Sequence, residues 1–106
     1  MLVIRGVNVF PTQIEEVLLK IEEVGPHYEI LVERKNRLDV MTITVELIDD
    51  RLLDSYGQLS ELEARIQRAL KAQLGLATQI RLVAPNSLKR FEGKAKRVTD
   101  LRKDGL

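Results

Sequence analysis

The sequence predicts an α+β fold, with a small three-stranded antiparallel sheet packed with helices, a short N-terminal strand pair and a basic C-terminal tail. Two observations predict this class. Segments in which every second residue is apolar alternate along the chain with segments whose apolar residues recur at helical spacing. The composition, with 44% hydrophobic and 31% charged residues in a chain of 106, is typical of one globular domain with a single core.

The N-terminus opens on an apolar run, residues 1–4, which predicts a strand. Gly6 interrupts this run and residues 7–10 resume it, so we expect a second short strand after a break at the glycine. No turn or cap precedes the first strand. This abrupt start predicts that the sequence is a piece of a longer protein.

Residues 11–21 predict the first helix, because their apolar side chains follow the i, i+3, i+4, i+7 rule. The start allows two interpretations: Pro11 occupies the first helical position, or Thr12 caps the helix with Glu15 three residues later. Gly25 and the proline after it are expected to end the helix. The apolar stripe consists of Ile14, Val17, Leu18 and Ile21.

Two strands are expected next, near residues 28–34 and over residues 40–47, joined by a polar hairpin loop. The second strand alternates cleanly, with threonine and glutamate on one side and apolar residues on the other. This pattern predicts a strand with one apolar face and one polar face. The apolar side consists of Met41, Ile43, Val45 and Leu47.

A second helix is predicted from Ser60, where Glu63 completes a capping box, to Gly75, which is well placed to terminate it. Residues 78–83 form the next expected strand, and a short element is expected again at residues 98–101. The order of elements is closest to a split βαβ, or ferredoxin-like, arrangement. The second helical stripe consists of Leu62, Ile66, Ala69, Leu70 and Leu74.

Several classes of function are excluded by composition. The sequence has no cysteine, which excludes disulfides and thiolate metal sites, and its single histidine, His27, has no histidine partner for a metal, so no metal site is expected. No apolar run approaches the ~20 residues of a membrane helix and nothing resembles a signal peptide, so we expect a cytoplasmic protein without a membrane partner. A net charge of +1 is not that of a nucleic-acid-binding chain.

Basic charge is concentrated near the C-terminus, where residues 89–103 carry seven basic and two acidic side chains. Lys94 follows a glycine in this polar stretch, and a lysine in such a loop can place its ammonium on a phosphate or a carboxylate. The alternative is a solvated basic tail, which most charge runs are. The sequence contains no glycine-rich phosphate loop of its own.

The stretch around Gly6 is the second candidate site. A glycine lets a backbone or a ligand approach closely because it has no Cβ, so Gly6 and Asn8 could line a narrow tunnel. The alternative is an ordinary bulge and turn before a helix.

Both stretches resemble elements of the adenylate-forming enzymes, which include acyl-CoA synthetases, peptide-synthetase adenylation domains and luciferases, and which carry a mobile C-terminal domain. Residues 5–15, RGVNVFPTQIE, resemble the element RG-x-N-x-[FY]-P-x-x-[IV]-E that follows the interdomain hinge of that family. Residues 93–97, GKAKR, resemble the C-terminal GK-x-x-R element, whose catalytic lysine maps onto Lys94. Residues 83–102 are similar to the tail of the phenylacetate–CoA ligase branch. The family's hinge aspartate and nucleotide loop are not in this sequence.

The resemblance implies that residues 1–106 are the mobile C-terminal domain of an AMP-forming acid–CoA ligase, inactive without its N-terminal domain. The full enzyme would use ATP with Mg, CoA and an aromatic or small carboxylic acid, with no cofactor held by this domain alone. Lys94 would be the catalytic residue, with Lys96 and Arg97 as further phosphate-binding residues. The CoA-binding residues would be Arg5, Gly6, Val7 and Asn8.

Two alternatives stay open. A stand-alone ferredoxin-like module could bind RNA, but such sheets stack bases on clustered exposed aromatics, and this sequence has only two Tyr and two Phe, with no aromatic strand motif. The same domain also occurs in related enzymes that adenylate an acid for an acceptor other than CoA, such as a deazaflavin cofactor. The element at residues 5–15 does not separate these acceptors.

Overall fold

The computed structural model describes residues 1–88 and 97–102, and it confirms the α+β class. One hydrogen-bonded pair, β1 and β2, forms a small sheet, and four further strands form a second sheet in the order β5-β4-β3-β6. The elements are β1 Leu2–Ile4, β2 Val7–Val9, α1 Pro11–Leu18, β3 Val24–Lys35, β4 Leu38–Leu47, a 3-10 helix Asp50–Asp54, α2 Tyr56–Leu74, β5 Gln79–Val83 and β6 Val98–Asp100.

The main sheet differs from the predicted three-stranded antiparallel sheet in strand number and direction. Within the described residues it has four strands, and only β3 and β4 pair antiparallel. β5 runs parallel to β4, and β6 runs parallel to β3. The physical reason is the crossover: α2 carries the chain back along the sheet, so β5 starts at the same end as β4. The sheet is therefore mixed.

The core lies between one face of this sheet and the two helices. On β4 the predicted apolar side is buried, and each of its residues faces a buried residue of β3. The helices cover this face through Ile14 and Leu18 of α1 and through the stripe of α2. Ala69, predicted in that stripe, is only half-buried. The paired core residues are Val24 with Leu47, Tyr28 with Val45, Ile30 with Ile43, and Val32 with Met41.

The first helix ends about one turn earlier than predicted. α1 ends at Leu18, and residues 25–26 lie within β3, where the register of pairing with β4 shifts between Val24 and Tyr28. Pro11 is the first helical residue, as one of the two interpretations had it. The backbone N–H of Phe10 donates to Gln13 Oε1 at 2.9 Å, so Gln13, and not Glu15, caps the start of the helix.

The second helix starts one turn earlier than predicted. Its cap is Ser55, whose Oγ accepts the Gln58 N–H at 3.4 Å, and Ser60 lies inside the helix. Gly75 ends α2 as predicted: its φ of 82° is left-handed, and its N–H donates to the Lys71 carbonyl at 2.9 Å.

Glu46 is a buried carboxylate on the polar face of β4, with 3% of the residue exposed. It accepts the backbone N–H groups of Asn86 at 3.1 Å and Leu88 at 2.8 Å. Glu46 therefore ties the segment after β5 back onto the sheet.

Replacing Glu46 with alanine removes an acceptor from two backbone donors, so we expect the free energy of unfolding to fall by about 1–3 kcal/mol. Urea unfolding of the chain measures this. Glu16→Ala, on the exposed side of α1, is the control and should change stability by less than about 0.5 kcal/mol. Equal losses in the two variants would show that the Glu46 contacts do not stabilise the fold.

Candidate functional site

The first candidate stretch forms a tight hairpin turn. Ile4 pairs with Val7, and the two residues between them, Arg5 and Gly6, have φ angles of 51° and 78°. Positive φ at both central positions is typical of a type I′ turn, whose twist matches that of the flanking strands. Within the described residues nothing lies within 4 Å of a Cβ added at Gly6. Inside this domain, Gly6 therefore serves the turn geometry rather than a close approach of neighbouring atoms.

The turn presents most of the predicted CoA-binding residues to the surface. Arg5, Gly6 and Asn8 are exposed, whereas Val7 is half-buried because it faces inward along β2 with Val9. Buried Ile4 and Val9 anchor the base of the hairpin in the core. The tip, by contrast, depends on polar contacts.

Those polar contacts come from Asp39, at the start of β4. The Arg5 N–H donates to Asp39 Oδ2 at 3.3 Å, and Arg5 Nε donates to the Asp39 carbonyl at 2.9 Å. Arg34 Nε donates to Asp39 Oδ1, and Arg102 Nη1 to Asp39 Oδ2, both at 3.0 Å. Burial alone would raise the pKa of Asp39, but the hydrogen bonds from Arg34 and the Arg5 N–H and the charge of Arg102 together lower it.

Arg102 connects the end of the described chain to its beginning. Its Nη1 also donates to the Val3 carbonyl at 2.6 Å, while Nε and Nη2 donate to the two carboxylate oxygens of Asp100 at 2.9 and 2.7 Å. The hydrogen bonds with Asp100 raise the pKa of Arg102, and only 10% of its side chain is exposed. The sequence did not single out Asp39 or Arg102. Its only signal was an acid two residues after the basic hairpin loop at residues 35–37.

Arg97, the last residue of the second candidate stretch, contacts the first helix. Its Nη1 donates to Glu15 Oε1 at 3.2 Å, and its guanidinium lies 4.8 Å from the centroid of the Tyr28 ring. The hydrogen bond with Tyr28, then that with Glu15, raises the pKa of Arg97 against the opposing effect of burial. The structure therefore joins the two motif-bearing ends of the chain. The predicted residues Lys94 and Lys96 lie outside the described residues.

Around these contacts the surface is basic. An open depression beside the two hairpin turns is lined by Arg5, Arg34, Arg37, Leu38 and Asp39. Among residues 1–88 and 97–102, no group of three or more potential metal ligands comes together. In the same part of the chain, no helix is long and apolar enough to span a membrane.

The described aromatic residues do not form a base-stacking platform. Tyr28 is 4% exposed and faces the helices under Arg97, while Phe10 and Tyr56 are exposed at helix starts, outside the strands of the main sheet. The geometry therefore lends no support to the RNA-binding alternative.

Comparison with known proteins identifies the family. Residues 6–102 match the model of the AMP-binding enzyme C-terminal domain. Phenylacetate–coenzyme A ligase of Escherichia coli K12 is 41% identical over 102 residues, which cover 96% of this chain but only 23% of that protein. This chain thus spans less than a quarter of the full-length relative.

The fold also occurs in solved structures. The crystal structure of a domain of phenylacetate–coenzyme A ligase from Bacteroides vulgatus has a TM-score of 0.87 at 39% identity and covers 98% of this chain and 94% of that one. The structure of 2-hydroxyisobutyryl-CoA ligase with 2-HIB-AMP and CoA in the thioesterification state has a TM-score of 0.82 at 29% identity and covers 92% of this chain and 20% of that one. The chain therefore belongs to the family of AMP-binding enzyme C-terminal domains.

Proposed function

We propose that this chain is the mobile C-terminal domain of an AMP-forming carboxylic acid–CoA ligase that acts on phenylacetate or a related aryl acid in the cytoplasm. The observation that carries the proposal is the exposed Arg5–Gly6 turn, in a chain that matches phenylacetate–CoA ligase over 96% of its length. The relative in the thioesterification state, with CoA bound, supports CoA as the acceptor.

In the first half-reaction a carboxylate oxygen of the acid attacks the α-phosphorus of ATP, and pyrophosphate leaves with the displaced bonding pair. The product is an acyl-adenylate. We assign the ammonium group of Lys94 to a position between the carboxylate and the α-phosphate. There it balances the negative charge that develops as these two groups approach each other. Lys96 and Arg97 are assigned to nearby phosphate oxygens, which for Arg97 requires its guanidinium to leave Glu15 and the Tyr28 ring. The magnesium ion that accompanies ATP is assigned to the N-terminal domain, which would supply most of the ATP site.

In the second half-reaction the CoA thiol attacks the acyl carbonyl, the thiol proton is lost and AMP leaves. For this step the domain rotates about its hinge, withdraws Lys94 and turns the Arg5–Asn8 hairpin towards the active site. The exposed backbone at Arg5 and Gly6 would line the path of the pantetheine arm. A glycine suits that place, because its missing side chain leaves room for the arm.

The isolated chain should fold and yet be inert, since the N-terminal domain would supply the acid pocket and most of the ATP site. We expect a cooperative thermal transition, because the core is continuous between the sheet and both helices. We expect no acid-dependent ATP–pyrophosphate exchange from the purified chain, with the full-length enzyme as the positive control. Measurable exchange by the chain alone would overturn the proposed division of labour between the domains.

A further inference from the structure

Three segments that are distant in sequence meet at Asp39. The β1–β2 turn reaches it through Arg5, 34 residues away, and the end of β6 reaches it through Arg102, 63 residues away. Arg34 of β3 completes the group. The side chains of Asp39 and Arg102 are only 12% and 10% exposed, although the turn that they hold is on the surface. Contacts with so little solvent exposure are screened far less than a surface ion pair.

The β1–β2 hairpin depends on such contacts. It consists of three residue pairs, and a two-stranded hairpin of this kind is marginally stable by itself. Arg5 adds a strain, because a side-chain-bearing residue with a φ of 51° is in the left-handed region. Asp39 binds this residue twice, at its backbone N–H and at Nε. Arg102 holds β1 two residues before Arg5, at the Val3 carbonyl.

We propose that Asp39 and Arg102 are positioning residues that fix the Arg5–Gly6 turn for the thioester-forming half-reaction and have no part in adenylation. The inference rests on the proposed function, in which the turn meets the pantetheine arm in the second half-reaction only. A misplacement of ~1 Å at a reacting complex can cost ~10²-fold in rate. Loosening the turn should therefore slow transfer to CoA, while delivery of the adenylation lysine is unaffected.

The test compares the two half-reactions in the full-length ligase that contains this domain. Asp39→Asn removes the negative charge but keeps the shape of the side chain. Arg102→Lys keeps the positive charge but loses the planar guanidinium that donates to Asp100, Asp39 and the Val3 carbonyl at once. Acid-dependent ATP–pyrophosphate exchange measures adenylation. Single-turnover reaction of preformed acyl-adenylate with CoA measures thioester formation. In both variants we expect the thioester rate to fall at least ~10-fold and exchange to stay within ~2-fold.

The matched control is Arg51→Met. Arg51 forms an even shorter ion pair with Asp49, 2.6 Å between Nη2 and Oδ2, but this pair is exposed and does not contact the turn. Its loss should leave both half-reactions unchanged. Thermal unfolding of each variant identifies any that is not folded at the assay temperature, and Arg102→Lys remains informative if Asp39→Asn is unstable.

The results distinguish the positioning role from a merely structural role and from a failure of the proposed function. A selective loss of thioester formation supports the positioning role. Equal losses in both half-reactions of folded variants, or no loss in either, would overturn it while the proposed function stands. If the wild-type enzyme adenylates an aryl acid but transfers it to no CoA, the proposed function itself fails on its acceptor, and the positioning role falls with it.

Discussion

Replacing Lys94 with alanine in the full-length enzyme is expected to lower acid-dependent ATP–pyrophosphate exchange by about 10²–10³-fold or more, the effect of removing one preorganised donor from a developing anion. The same variant should convert synthetic acyl-adenylate and CoA to product at a near wild-type rate. The difference follows from the proposed rotation, which brings Lys94 to the reacting atoms in the first half-reaction only. Pyrophosphate exchange and single-turnover thioester formation, measured side by side, test this expectation.

Lys96 is the matched control, since it has the same chemistry two residues further along the same stretch. We expect Lys96→Ala to have the smaller effect on exchange. A larger effect at Lys96 would mean that the wrong lysine has been assigned. Equal losses of both half-reactions in Lys94→Ala would show that Lys94 supports the structure of the domain instead of the chemistry.

The opposite pattern is expected at Gly6. Gly6→Leu or Gly6→Ile should leave pyrophosphate exchange largely intact and slow acyl-CoA formation by about 10²-fold or more, so that acyl-adenylate accumulates on the enzyme. A Cβ added at Gly6 meets nothing within 4 Å in the described part of this domain, so the side chain would begin in open space at the turn tip. It would therefore occupy the proposed pantetheine path without disturbing the core. Retained exchange shows that the domain is folded, because a collapsed domain could not deliver Lys94.

Backbone strain is the competing explanation, because Gly6 has a φ of 78°. A left-handed conformation costs a residue with a side chain roughly 1–2 kcal/mol. Gly75 provides a matched control: its φ is 82°, and nothing described lies within 4 Å of a Cβ added there either. Gly75→Leu should have a similar strain and no selective effect on thioester formation. Gly6→Ala, with the same strain but less volume, should be milder than Gly6→Leu. Normal acyl-CoA formation by Gly6→Leu would show that the turn does not line the path.

Features with local causes could be predicted from the sequence. The alternation on β4 and the stripes of the two helices identified most of the core residues of these elements, because side-chain periodicity of two or 3.6 follows from the geometry of a single element. Val17, Ile21 and Ala69, which were predicted in the stripes, are only half-buried. Gly75 was recognised as the end of α2 since a left-handed C-cap favours glycine. The two motif-bearing stretches at opposite ends of the chain were sufficient to indicate the family that the comparisons then showed.

Helix starts were harder to predict, since several residues compete for the same role. Ser55 and Ser60 are both capping residues by type, and only the path of the chain out of the 3-10 helix gives Ser55 the extended backbone that a cap requires. Similarly, Gly25 was expected to break the first helix. It lies instead in β3, at the irregularity where the register with β4 shifts, because the pairs on either side, Val24 with Leu47 and Tyr28 with Val45, keep this segment in the sheet.

Strand direction and the Asp39 contacts were decided by the tertiary structure alone. Whether β5 runs parallel or antiparallel to β4 depends on where α2 packs, which no residue of β5 specifies. Asp39 acquires its role only when two hairpin turns and the end of β6 meet, bringing together residues 34 and 63 positions away from it. Local periodicity reports which face of an element is buried, whereas contacts at such separations arise only after those faces have packed.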